Sequence, residues 1–283
     1  MSTFPGATAE RESADYVVVG GPLDATTTFQ PGARFGPDRI RRFAETFDDY
    51  DRRTGQFFSD LAVHDAGDVR AWNDVPEYAE YLSGTLRDVV WDGAVPLLLG
   101  GEHTVSAAGV EAVEPDVFVV LDAHLDLRSQ YDGDPWNHAC VTRRVLHTAD
   151  RAVILGARTG SPEEWTRADA DDVAVVPPEE VADWEPDFAG EESVYLSVDV
   201  DGADPGFAPG TGTMEPFGMT PREMRDVVRA VAPAADGFDV VEVNDRDDGQ
   251  AAALAGKLVR EFVYAHAAER SVTDPTAGSG ASE

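Results

Sequence analysis

Lysine is nearly missing from this chain. Lys257 is the single one in 283 residues, and with arginine the basic side chains number only 22 against 54 acidic ones, a formal net charge of -32. A surface so poor in cations repels phosphate backbones and anionic headgroups, so nucleic acid and membrane surfaces are not expected partners. Cysteine is equally scarce. Cys140 stands alone, no intrachain disulfide can form, a structural zinc site is disfavoured, and a cytoplasmic location is expected. No apolar run approaches the roughly 20 residues that a membrane-spanning helix needs. The opening MSTFPGATAERESAD lacks the basic start and apolar core of a secretory signal.

What the chain has in quantity is carboxylate, spread along its whole length rather than gathered in a tail. This distribution reads as a solvation device for concentrated salt, where screening within a few ångströms relieves self-repulsion. With 42% hydrophobic residues the chain can still fill a sizeable core, which argues against wholesale disorder. Apolar runs recur at 16–20, 95–100, 117–122, 152–157, 173–176, 194–200 and 238–243. Helical patterns lie between most of them, clearest at 76–93, 138–149, 220–233 and 250–269. Near-continuous Val/Leu/Ile strands alternating with helices predict an α/β fold with a mostly parallel sheet covered on both faces. A single domain over 15–269 is expected, with frayed segments at 1–14 and 270–283.

Ligands of such sheets sit beyond the carboxyl ends of the strands, and polar residues gather there. GEH (101–103) follows VPLLLG; DAHLD (122–126) follows VFVVL; DVDGADP (199–205) follows VYLSV; EVND (242–245) follows FDVV. On extended chain Asp122, His124 and Asp126 alternate with Ala123 and Leu125 and point to one side. Asp199 and Asp201 do the same around Val200. Anions this crowded repel one another and lose water, which is costly without a cation. Any single Asp here is also a competent turn former or helix cap. Four aspartates with His103 and His124 exceed what one compact ion can use, whereas two divalent ions about 3.5–4 Å apart can share bridging carboxylates. Oxygen-rich ligation with one imidazole per ion suits manganese, with iron, cobalt or zinc as lesser possibilities.

GGEHTVS (100–106), DAHLD (122–126) and SVDVDGADPGFAPGTGTMEP (197–216) resemble, in order and spacing, the three metal motifs of the ureohydrolase family of arginases, agmatinases and relatives. FQPGARFGPDRIR (29–41) resembles that family's N-terminal substrate-loop segment, and VVEVND (240–245) its late glutamate motif. The resemblance spans about Tyr16 to Val263. It implies a three-layer α/β/α sandwich around a parallel sheet of about eight strands, and two Mn2+ ions as cofactors. His103, Asp122, Asp126 and Asp199 would hold the first ion, and Asp122, His124, Asp199 and Asp201 the second. A hydroxide shared by the ions would attack a guanidinium carbon and release urea and an amine. By the same resemblance Asp126 orients that nucleophile and passes its proton on, His138 shuttles protons to the leaving amine, and Glu242 pairs with the substrate guanidinium. His64, His147 and His266 match no motif and are read as structural or surface residues. A homo-oligomer, trimeric or hexameric, is implied as well.

The substrate reading is agmatine, cleaved to urea and putrescine. Arg128 stands where arginases usually carry asparagine, and LRSQYDGDPWNHACV (127–141) is closer to the agmatinase pattern, as is GGEH rather than GGDH. Thr104, Met214, Phe217 and Asp245 depart from the common pattern without removing a metal ligand. Arg128 leaves guanidinobutyrate or arginine as alternatives, along with a formimino compound. A catalytically silent guanidine-binding or scaffold protein is the alternative of another class. The charge supplies its own test: the melting temperature should climb as KCl is raised from millimolar to molar, and a flat profile would remove the high-salt reading.

Overall fold

The computed structural model describes residues 2–188 and 192–273. Its first strand, β1 (Tyr16–Gly21), is buried at every position. Successive residues of a strand face opposite sides of a sheet, so an unbroken apolar run requires cover on both. Val18 packs with α1 (Gly36–Ala44), α6 (Pro221–Val231) and α7 (Gln250–Thr273). Val17 and Val19 pack on the opposite face with α2 (Val75–Trp91) and α3 (Ser106–Val113). Further along that second face, α3 and the short α4 (Val141–Val145) cover Phe118, Val120 and Ile154. The architecture is therefore a three-layer sandwich.

The other strands are a small hairpin, β2 (Tyr50–Asp51) with β3 (Gln56–Phe57), then β4 (Val63–Asp68), β5 (Val95–Gly100), β6 (Val117–Leu121), β7 (Arg151–Leu155), β8 (Val173–Val176), β9 (Val194–Asp199) and β10 (Ala235–Val241). With β1, seven of these form one eight-stranded sheet in the order β4-β1-β5-β10-β9-β6-β7-β8, and every pairing in it is parallel. The order matters for chemistry. The four strands followed by acidic or His-containing motifs, β5, β10, β9 and β6, are consecutive in the sheet although five crossovers run from the first to the last of them along the chain.

Local signals set the helix starts. Thr220 caps α6 in a reciprocal box with Glu223, and Ser161 does the same with Glu164 for α5 (Pro162–Ala168). Each helix begins on a proline, whose missing N–H has no partner to lose there.

Three expectations change. Residues 2–14 are not a frayed segment: Phe4 is buried among Phe58 and Tyr264, and its N–H donates to Asp65 Oδ2 at 2.6 Å. At the other end α7 runs to Thr273, past the expected boundary at 270; positions 274–283 of the expected tail lie outside the described residues. The helix expected over 138–149 is a 3-10 turn, His138–Cys140, followed by α4.

The strand missing from the apolar pattern is β4, VHDAGD. Its acids are interior ion-pair partners. Arg41 of α1, wholly buried, donates from Nε and Nη2 to both oxygens of Asp65 at 2.8 Å and from Nη1 to Asp68. A two-point guanidinium–carboxylate pair has well-defined geometry, and it fastens the edge strand to the helix that covers it. Removing one member of a buried pair strands the other. Arg41→Met is thus expected to destabilise the fold by about 3–5 kcal/mol in denaturant titrations, and a loss below about 1 kcal/mol would show that the pair does not anchor this edge.

Candidate metal centre

Each strand end turns its side chain inward by a definite local device. Beyond β6, Asp122 accepts the His124 N–H on Oδ1 at 2.7 Å; at the last position of β9, Asp199 accepts the Asp201 N–H on Oδ1 at 2.8 Å. These are Asx turns, in which one carboxylate oxygen is tied to backbone two residues on. The second oxygen of each is thereby aimed at the rim. Alternation on extended chain accounts for only part of this, because β6 stops at Leu121, residues 200–202 form a 3-10 turn, and Asp126 has a left-handed φ of 51°. Asp tolerates that conformation better than most residues. Ala123, Leu125 and Val200 do point into the core.

The six expected ligands come together. His103 Nδ1 lies 3.2 Å from Asp122 Oδ2, 3.1 Å from Asp126 Oδ2 and 3.3 Å from Asp199 Oδ2. His124 Nδ1 lies 3.5 Å from Asp122 Oδ1 and 3.1 Å from Asp201 Oδ2. Two sets of ligand atoms, His103–Asp122–Asp199 and Asp122–His124–Asp201, each fall within 4.8 Å of one another, and Asp122 belongs to both.

Which nitrogen of His103 is available follows from proton counting. Ser197 Oγ donates its only hydrogen to Asp239 Oδ1 at 2.6 Å, so toward His103 Nε2, 3.4 Å away, it can only accept. In its neutral form His103 then carries its proton on Nε2 and leaves Nδ1 with a lone pair facing the carboxylates. That Nδ1 and Asp122 Oδ2 are buried without a hydrogen-bond partner. Orphaned lone pairs converging from a histidine and carboxylates are what a divalent cation requires, so the donor set fits a metal.

As protein groups alone, the cluster can balance its charge only with protons. Burial opposes charge on both imidazoles, yet the carboxylates outweigh it and push His124 up to about 12 and His103 well above its usual value. Burial and the Asp122 charge raise Asp126 to about 6, and Asp199 is driven well above the usual carboxylate range by burial, Asp201 and Asp122. Asp122 itself is held low by His103 and His124 against the effect of burial. A stronger cation than H+ would displace these protons.

A cavity of about 290 Å³ opens over this cluster. Glu242, just past β10 and also at a left-handed φ of 60°, accepts the His103 N–H on Oε1 at 2.9 Å and faces His138 Nδ1 at 3.1 Å. Its Oε2 is buried with no partner. Non-glycine residues at positive φ store strain and cluster at functional sites; two of the six among the described residues, Asp126 and Glu242, are here. His138 Nε2 accepts the Thr28 N–H at 3.1 Å. Glu242 draws the His138 pKa up to about 9 against burial, while the Thr28 amide needs a lone pair on Nε2; a second proton on the ring is gained at the expense of that contact. The double glycine before His103 has a steric reason, since a Cβ on Gly101 would stand 1.9 Å from the Leu23 carbonyl oxygen. His64, His147 and His266 are not part of the cavity lining.

Thr28, Tyr131, Thr159, Glu164 and Thr213 line the cavity without having been picked out from the sequence. Glu164 carries the S-x-x-E signature of a helix start, and it does cap α5; nothing in that signature shows that its carboxylate also pairs with Arg128 Nη2 at 3.1 Å. The TTT run before the loop motif is the one local sign that could have drawn notice to Thr28.

Comparison with known proteins agrees with this geometry. The model of the arginase family matches residues 14–264. An agmatinase of Pyrococcus horikoshii is 35% identical over 89% of this chain and 92% of its own length. The N(1)-aminopropylagmatine ureohydrolase of Thermococcus kodakarensis is 36% identical over 88% and 90%. Among solved structures, the agmatine ureohydrolase of Thermoplasma volcanium superposes with a TM-score of 0.90 at 31% identity, covering 97% of both chains. With the sheet order, the rim of carboxylates and these likenesses in hand, the chain belongs to the arginase family and is an agmatinase-like ureohydrolase.

Proposed function

We propose that this enzyme hydrolyses agmatine to urea and putrescine with two manganese ions held by His103, Asp122, Asp126 and Asp199 on one side and Asp122, His124, Asp199 and Asp201 on the other. When bound, the ions supply positive charge that acidifies water and offsets charge developing at the guanidino carbon. The protein groups do the rest. Glu242 Oε2, unpartnered and facing the cavity, receives guanidinium N–H groups, a charge-assisted contact that holds the planar carbon in place. Asp126 lies beside His103 at the edge of the cluster, where it orients the attacking water and takes its proton. His138, hydrogen-bonded to Glu242, delivers a proton to the departing amine.

The observation that carries the substrate choice is the Arg128–Glu164 pair. Arg128 is the one arginine or lysine among the described residues lining the cavity, and buried Glu164 already engages it. A substrate carboxylate would have to break that pair, whereas a substrate ammonium meets a wall rich in acids. The names of the relatives point the same way. N1-aminopropylagmatine is a second reading, favoured by the 36% identical Thermococcus relative.

Urea release should therefore be measured in high salt with added manganese on agmatine, N1-aminopropylagmatine, arginine and guanidinobutyrate. Agmatine or its aminopropyl derivative should give the highest kcat/KM; a preference for guanidinobutyrate would overturn the substrate assignment, and tight binding with no urea from any of them would favour a silent binding protein. Four substitutions separate the roles. His124→Ala or Asp201→Ala should lose manganese by elemental analysis together with activity. His138→Ala should keep its metal and turn over roughly 10²–10⁴-fold more slowly. Glu242→Gln should impair substrate use at full metal content, and normal kinetics there would remove its assigned contact.

A further inference from the structure

We infer that Glu102 is a positioning residue for His138, acting through the segment Thr26–Thr28; this rests on the proton-delivery role proposed for His138. Glu102 is wholly buried, and hydroxyl and amide donors rather than a guanidinium hold it: Oε2 accepts the Thr26 N–H and Oε1 the Thr26 hydroxyl, both at 2.7 Å. Burying a carboxylate on neutral donors is expensive, and neither assigned ion takes it as a ligand.

The geometry shows what the carboxylate accomplishes. With its hydroxyl proton committed to Glu102, Thr26 Oγ1 can only accept, and it accepts the His138 N–H at 3.0 Å. The Thr26 carbonyl meanwhile accepts from Asn137 Nδ2 at 2.8 Å, and two residues on, Thr28 N–H donates to His138 Nε2 at 3.1 Å. Glu102 thus anchors a strap that grips His138 at both backbone and ring. The ring's other nitrogen is turned to Glu242. A proton-transfer group misplaced by about 1 Å can lose two orders of magnitude in rate, so the strap sets a quantity to which turnover is sensitive. Side-chain length is decisive, because an aspartate at 102 would be shorter by roughly 1.5 Å and its oxygens would fall out of reach of Thr26.

The test is a double-mutant cycle. Glu102→Asp and Thr26→Val are each made alone and on the His138→Ala background, and kcat, KM and bound manganese are measured with the best guanidino substrate. Each single variant is expected to lower kcat roughly 10- to 100-fold with KM and metal content unchanged, and to have no further effect once His138 is alanine. A cost that persists in full on that background, or one that tracks metal loss, would overturn the inference. Thr26→Val carries the same cycle if Glu102→Asp does not fold. A crystal structure of the altered protein supplies a readout independent of activity: residues 26–28 should be withdrawn and the His138 ring turned from Glu242, and an unmoved ring refutes the strap. Failure of the unaltered enzyme to release urea would count against the proposed reaction alone.

Discussion

Like charges do not gather in a protein interior unless something compels them, and the rim of this sheet gathers Asp122, Asp126, Asp199 and Asp201 within hydrogen-bonding range of two histidines. Their repulsion and lost hydration work against folding. The strands that carry them resist it by brute burial: β5, β6, β9 and most of β10 are interior along their whole length, packed on both faces. A rim built on such strands cannot splay to relieve its charge. Unrelieved charge in a rigid frame is a standing demand for cations.

The acids of this chain serve two opposite purposes. Those on the surface are dispersed along the chain and solvated. Those inside but outside the cluster are tied to particular donors. Asp65 and Asp68 take the Arg41 guanidinium, Asp239 takes the hydroxyls of Ser197 and Tyr195, and Glu102 takes Thr26. The ties that lie near the cluster also decide where protons reside. Ser197 leaves His103 Nδ1 bare, and Thr28 leaves the His138 proton on the side of Glu242. A proton's location on an imidazole is a functional property that composition cannot register, yet one hydroxyl and one amide determine it.

Legibility followed the strength of the local signal. Seven strands of the main sheet announced themselves as apolar runs, and the four motifs at their ends marked the rim, because burial on two faces and the turn from strand to loop both leave a residue-by-residue imprint. β4 left none: its interior acids look solvated until Arg41, 24 residues upstream of Asp65, is seen against them. Phe4 was likewise hidden in a polar stretch whose one apolar side chain finds the core. Thr28 and Glu164 line the cavity on ordinary loop and cap signatures.

The residue types at the strand ends, their spacing and the alternation of strand with helix belong to the primary sequence, and these sufficed for the fold class and for picking out six side chains that the structure brings together. Adjacency did not. That β5, β10, β9 and β6 lie side by side, that Arg128 is engaged by Glu164, and that Glu102 reaches Thr26 across 76 residues were decided only when the crossovers closed and the layers packed. Patterns of period two or three to four report how one element meets its surroundings; which element supplies those surroundings is a matter of packing among parts remote in the chain.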